Sequence, residues 1–145
     1  MVQKAITSAN SVLLLGVTSL FPTAQQMQNF ATDDMYSMDP VDNAEVVMGA
    51  DGVMSAGWIP QIKVMHITLM PNSNAMSFFE SWFAQEEALR EVLYGFGTLN
   101  QPSIGRTYAL TNGVLSQFAP IADGKKVLQA RRFQIKWESA LGAPI

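Results

Sequence analysis

The stretch Ile62–Leu93, IKVMHITLMPNSNAMSFFESWFAQEEALREVL, joins the two element types whose pairing decides the fold. From Ile62 to Met70, β-branched and long apolar residues fill both alternations, broken only by Lys63, His66 and Thr68. Successive strand residues point to opposite faces, so this pattern predicts a strand with neither face in open water. Pro71 ends it, and PNSN leads into a helix over about residues 75–93. Asn74 can cap that helix, and Ser77–Glu80 also fits a capping box. Phe78, Phe79, Trp82, Phe83, Leu89, Val92 and Leu93 recur on one side at helical spacing, with Glu80, Ser81, Glu87 and Glu91 on the other. Glu86 and Arg90 form an i,i+4 pair of favourable polarity, and Gly95 and Gly97 are expected to stop the helix.

Upstream, Ala44–Met48 and Val53–Trp58 flank Gly49-Ala50-Asp51-Gly52, a hairpin whose Asp-Gly turn tolerates positive φ. Val12–Thr18 predicts a strand, and Gln28–Ser37 a weaker one before the Asp39–Pro40 turn. The apolar run Ser11–Val17 is too short to cross a membrane and reads as strand, not as a leader peptide, although Lys4 precedes it. Downstream, Thr107–Leu110 and Val114–Ala119 flank Asn112–Gly113, which predicts a second hairpin; Asp123–Gly124 predicts another turn. Val127–Trp137 then alternates, with Phe133, Ile135 and Trp137 on one face and Arg132, Gln134 and Lys136 on the other. The expectation is one mainly β domain over residues 1–145. It is an antiparallel β-sandwich or partial barrel with one packed α-helix.

Charge is distributed unevenly. Between Lys4 and Lys63 there is no cation, but there are Asp33, Asp34, Asp39, Asp42, Glu45 and Asp51. From Ile104 to Glu138, Arg106, Lys125, Lys126, Arg131, Arg132 and Lys136 face only Asp123 and Glu138. A monomer can fold with such charges paired within itself, but a subunit that docks an acidic face on the basic face of an identical neighbour requires such a division. These residues, together with Trp58, are the candidate inter-subunit contacts; Lys136 and the carboxylates Asp123 and Glu138 are left aside. Charged residues make up only 14% of the chain against 48% hydrophobic, well below the roughly 25% charged of typical soluble domains. Apolar surface in excess of one core points to partners. The net charge of −3 disfavours a dedicated nucleic-acid binder.

Little in the chain points to catalysis. The absence of cysteine removes disulfides, thiolate metal sites and Cys nucleophiles. His66 is the lone histidine and reads as a satisfied core or interface residue. Asp33–Asp34 lacks the separation of a glycosidase pair and the pattern of a calcium loop. Gly49–Gly52 lacks the Lys-Ser/Thr ending of a phosphate loop. Arg131–Arg132 with Phe133 and Trp137 resembles a base-stacking surface, but cations and rings fall mainly on opposite faces. The nine methionines suit either an irregular core or interfaces that flex. No enzyme activity, cofactor or metal is expected.

The acidic lead-in from Asp42, the turn Val47–Val53 and the junction Ile67-Thr68-Leu69-Met70-Pro71-Asn72-Ser73-Asn74 running into an apolar helix together resemble tail tube proteins of contractile-tailed, myovirus-type bacteriophages. The later strands ending in Arg132–Trp137 resemble that family in element order. Gly57-Trp58-Ile59-Pro60 and the richness in methionine depart from it. The resemblance implies a virion protein assembled in the host cytoplasm, with no membrane contact. Its subunits would form hexameric rings stacked into a hollow tube. Partners would be further copies, the sheath, the tape-measure protein, the tail terminator and the baseplate, with DNA in transit. An acidic or neutral lumen is expected, drawn from the Asp33–Asp51 carboxylates, because a basic wall would retard phosphates. The alternatives are a terminator or baseplate component, or a related bacteriocin or type VI secretion tube protein. More distant is a small β-sandwich hydrolase or sugar-binding module using Asp33, Asp34 or His66.

Overall fold

The computed structural model describes residues 6–28, 30–31 and 35–144. The strands are β1 (Val12–Val17), β2 (Phe21–Gln26), β3 (Tyr36–Met38), β4 (Ala44–Met48), β5 (Met54–Trp58) and β6 (Lys63–Leu69). After helix α1 (Met76–Leu89) come β7 (Gly95–Gln101), β8 (Arg106–Phe118) and β9 (Arg131–Pro144). Seven strands form one antiparallel sheet in the order β2-β1-β7-β8-β9-β6-β3, and β4–β5 stand apart as a second, two-stranded sheet. The mainly β, one-helix architecture is as the sequence predicts.

One face of the large sheet is dry. β6 buries Met65, Ile67 and Leu69 and leaves the alternate residues half-buried. The strand predicted to be apolar on both faces therefore has one core face. β1 contributes Leu13, Leu15 and Val17, and β9 contributes Phe133, Ile135 and Trp137. Helix α1 lies on this face through Phe78, Phe79 and Trp82. Phe79 stacks on Phe133 with centroids 4.4 Å apart, and Phe83 stacks on Phe118 at 4.5 Å. The two buried indoles are satisfied: Trp82 Nε1 donates to the Leu93 carbonyl at 3.1 Å and Trp137 Nε1 to Met65 Sδ at 3.3 Å.

The sheet curls without closing. The Tyr36 hydroxyl on edge strand β3 donates to Ser11 Oγ at 3.0 Å and accepts from Gln101 Nε2 at 2.8 Å, so it reaches the β1–β7 half. The chain leaving β2 crosses to the other edge, where Phe30 bridges Leu69 and Ala31 N donates to the Thr68 carbonyl at 3.1 Å. The expected antiparallel β-sandwich or partial barrel with one packed helix is what the fold shows, without closure into a barrel.

Several local expectations are corrected. The helix ends at Arg90, which takes a left-handed φ of 56°, five residues before Gly95. Glu86 therefore pairs with the Leu93 amide (3.2 Å) and not with Arg90. Neither Asn74 nor Ser77 caps the start. Ser73 Oγ accepts from Ala75 N at 3.2 Å and donates to the Gln28 carbonyl at 2.5 Å. The predicted hairpin is instead one long strand, Arg106–Phe118, in which Asn112 (φ 50°) marks a bulge and donates to Glu138. β2 and β7 were not foreseen. Gln28–Ser37 contributes only the start of β3, and its residues 29 and 32–34 lie outside the described ones.

Candidate assembly surfaces

Among the described residues, the β4–β5 arm pairs with no strand of the large sheet. Its register pairs Ala44 with Trp58, Val46 with Ala56 and Met48 with Met54. Residues directly opposite in an antiparallel pair share a face. One face of the arm is therefore wholly apolar, while Glu45, Val47, Ser55 and Gly57 form the other. All ten strand residues are exposed, Trp58 by 74%. The tip is well built: Gly49 N donates to the Val53 carbonyl at 2.8 Å, Asp51 Oδ1 accepts from Val53 N at 3.1 Å, and Gly52 takes a φ of 84°. An isolated hairpin is marginal in water, and a bare apolar face of this kind marks an interaction surface. An open groove of about 690 Å³ lies at the arm's root, between Trp58, Ile62, Val114 and Lys136.

A second projection lies at the other end of the sheet. β6 begins at Lys63, just after the arm, and ends at Leu69, which pairs with Arg131. Residues 119–130 form the loop that leads into Arg131. The Arg131 side chain is buried and fixes the base of this loop. Its guanidinium donates to the Ala119 carbonyl (2.6 and 3.1 Å), to the Pro120 carbonyl (3.1 Å) and to Glu80 Oε1 of α1 (2.8 Å). It also sits over the Phe118 and Phe133 rings at 5.2 and 5.4 Å. Beyond this anchor Ile121, Val127 and Leu128 are 80%, 69% and 60% exposed, beside Lys125 and Lys126. A shallow groove of about 590 Å³ borders the loop between Phe83, Phe118 and Arg132.

The candidate contact residues are thereby sorted. Asp42, Glu45, Asp51 and Trp58 are exposed on the arm or its linker, and form no ion pair among the described residues. Asp39 lies at the arm's root, with Oδ2 3.4 Å from Nε2 of the partly exposed His66. Lys125, Lys126 and Arg132 are exposed at the loop end. Arg106 is exposed but pairs with Pro144, so it lies toward the arm's end and apart from those three. Arg131 is buried, with its guanidinium engaged by Ala119, Pro120 and Glu80 of its own subunit. Asp33 and Asp34 lie outside the described residues. Ile121, Val127 and Leu128 were missed by sequence reasoning, which placed Val127 and Leu128 in a strand. The signal available was the Gly124-Lys125-Lys126 break immediately before them.

Residues 4–141 match the family described as tail fiber protein gp32. The chain belongs to that family. Phage-tail structural proteins are thus its class, as the resemblance in element order anticipated, although the tube wall is not singled out. Comparison with curated proteins finds no match. Among solved structures the chain is similar to a subunit of the sheath/tube terminator of an extracellular contractile injection system in the extended state (TM-score 0.67, 10% identity, covering 99% of each chain). It is also similar to a subunit of the anti-feeding prophage tube-terminating cap (TM-score 0.63, 12% identity, 100% of this chain and 95% of that one). A subunit of the sheath-tube complex of the same injection system matches with TM-score 0.63 at 10% identity, over 99% of this chain and 95% of that one. At such identities the likeness is one of fold. Among the described residues no cluster of His, Cys, Asp or Glu is placed to hold a metal, and no helix is long and apolar enough to cross a membrane.

Proposed function

We propose that the chain is a structural subunit of a phage-like contractile tail that forms a terminating ring on the tube, instead of the tube's repeating wall. The observation that carries this reading is the full-length fold likeness to a tube terminator and to a tube-terminating cap, in a chain whose family is a tail family. The physics is consistent with a ring. Among the described residues the apolar arm pairs with no strand of the large sheet, and the sheet order leaves the outer edges of β2 and β3 unpaired. Both features are satisfied by further copies. On this reading, tube and sheath would be the neighbours, a ring of six would match the symmetry of the resembled tubes, and DNA would pass without being read. The tube-wall reading expected from the sequence remains second, supported by the likeness to the sheath-tube complex.

Negative-stain electron microscopy of the purified full chain at rising concentration separates the two. A terminator gives closed rings that do not lengthen, whereas a wall subunit gives tubes that do. A chain that stays solitary throughout would overturn both.

A further inference from the structure

The methionines divide sharply by exposure. Among the described ones, Met27, Met65 and Met76 are buried, and the Met65 sulfur accepts from Trp137 Nε1 at 3.3 Å. Met35, Met38 and Met70 are less exposed than the pair at the arm's tip. That pair, Met48 and Met54, stands directly opposite in register, 65% and 61% exposed. Opposed residues of an antiparallel pair share a face, so both thioethers lie on the wholly apolar face of the arm. They are two of its four large side chains, the others being Val46 and Trp58. We propose that Met48 and Met54 are a peroxide-sensitive modification site: as sulfoxides they disable the arm's apolar face, and their reduction restores it.

The chemistry is an oxygen transfer from a peroxide, hydrogen peroxide in the simplest case. The thioether sulfur attacks one oxygen, the O–O bond breaks, and the proton on the transferred oxygen passes to the departing hydroxide. The sulfur is oxidised by two electrons to the sulfoxide and the peroxide leaves as water. A flexible apolar side chain thereby becomes a polar one that ends in a hydrogen-bond acceptor. A surface apolar enough to cover Val46 and Trp58 would then bury two acceptors without donors, which is unfavourable. The fold of the arm is not altered. Its turn is held by Gly49 N donating to the Val53 carbonyl and by Asp51 Oδ1, bonds that use neither sulfur. Exposure directs the peroxide to the tip and away from Met27, Met65 and Met76. Once the face is covered, the same two sulfurs are shielded, so oxidation and assembly exclude each other. Sulfoxides are reduced enzymatically, by a separate reductase for each epimer, so the block is reversible. This inference rests on the reading that the chain assembles, with the arm's apolar face covered in the assembly.

The full chain, with and without mild hydrogen peroxide, tests it by peptide mass mapping and sedimentation velocity. Met48 and Met54 should each gain one oxygen before Met27, Met65 and Met76 do, with the circular dichroism unchanged. The oxidised chain should need at least about tenfold more protein to reach half assembly, and treatment with both sulfoxide reductases should reverse this. Met48→Leu with Met54→Leu should keep its assembly through the same peroxide exposure. Met48→Gln with Met54→Gln, which places a polar oxygen where the sulfoxide would, should stay folded and lose assembly with no peroxide present. Oxidation that begins at the buried methionines overturns the proposal. So does unchanged assembly of the oxidised chain or of the glutamine variant, or a leucine variant as sensitive to peroxide as the unaltered chain. An unaltered, untreated chain that never assembles overturns the underlying reading instead.

Discussion

Gly95 and Gly113 face each other in the β7–β8 register, and each lies under a tryptophan. A Cβ on Gly113 would sit 2.5 Å from the Trp137 ring, and one on Gly95 would sit 2.8 Å from Trp82. Gly113→Ala should therefore cost about 1–3 kcal/mol of stability, the usual range for overpacking a core, read as a lower urea midpoint at unchanged slope. Gly57 has open space around its Cα, and Gly57→Ala should change stability by less than about 0.5 kcal/mol. Sequence reading took Gly95 for a helix stop and Gly113 for a hairpin turn. Turn, cap and close approach all select glycine, and only the tertiary position of the two indoles tells them apart. Arg131 makes a similar point. It reads as a surface cation in sequence, yet it is buried because carbonyls, a carboxylate and two rings surround it. Arg131→Leu should lose about 1.5–3 kcal/mol, the range for hydrogen bonds to a charged group, and raise amide exchange across 119–130. Glu80→Gln should lose under about 1 kcal/mol, since Glu80 is largely in solvent.

At the scale of elements, α1 stops early because Arg90 turns left-handed, and its last turn then depends on Glu86. Burial raises the Glu86 pKa above its ordinary value of 4.5, although the Leu93 amide opposes the shift. A raised carboxyl pKa means that the folded state holds the proton more tightly than the unfolded state. That contribution is full below pH about 4.5 and is lost as pH rises past the folded value. Glu86→Gln keeps an acceptor for Leu93 N and removes the charge, so it should be the more stable form at pH 7. Its advantage should shrink to nothing as pH falls below 4.5, a trend that thermal melts across pH would show. The arm follows a different logic. Its alternation and Asp51–Gly52 turn made it legible in the sequence, with Val53 falling just outside the observed strand. What the sequence did not show is that the arm pairs with no strand of the large sheet among the described residues, since a hairpin pattern does not say which sheet it joins. Replacing residues 44–58 with a short Gly-Ser linker should leave the urea midpoint of the large sheet nearly unchanged, and should abolish self-association.

At the scale of the molecule, the acidic and basic thirds of the sequence become two ends of a curled sheet only in part. Lys125, Lys126 and Arg132 gather opposite the arm, but Arg106 returns to the arm's side because β8 and β9 run on past β6. The division of charge was readable from composition, and its sense as a head and a tail follows from where β6 begins and ends. The apolar excess finds its place here too: the core takes Trp82, Trp137 and the stacked phenylalanines, and much of the remainder is exposed on the arm and the 119–130 loop, with Leu89, Val92, Tyr94 and Leu141 exposed elsewhere. The central claim is that one copy is an incomplete object. Native mass spectrometry of the full chain, at concentrations from low to high micromolar and at low salt, tests it directly. The account predicts one discrete closed multimer that gains population with concentration, and a single-chain mass at every concentration would contradict it.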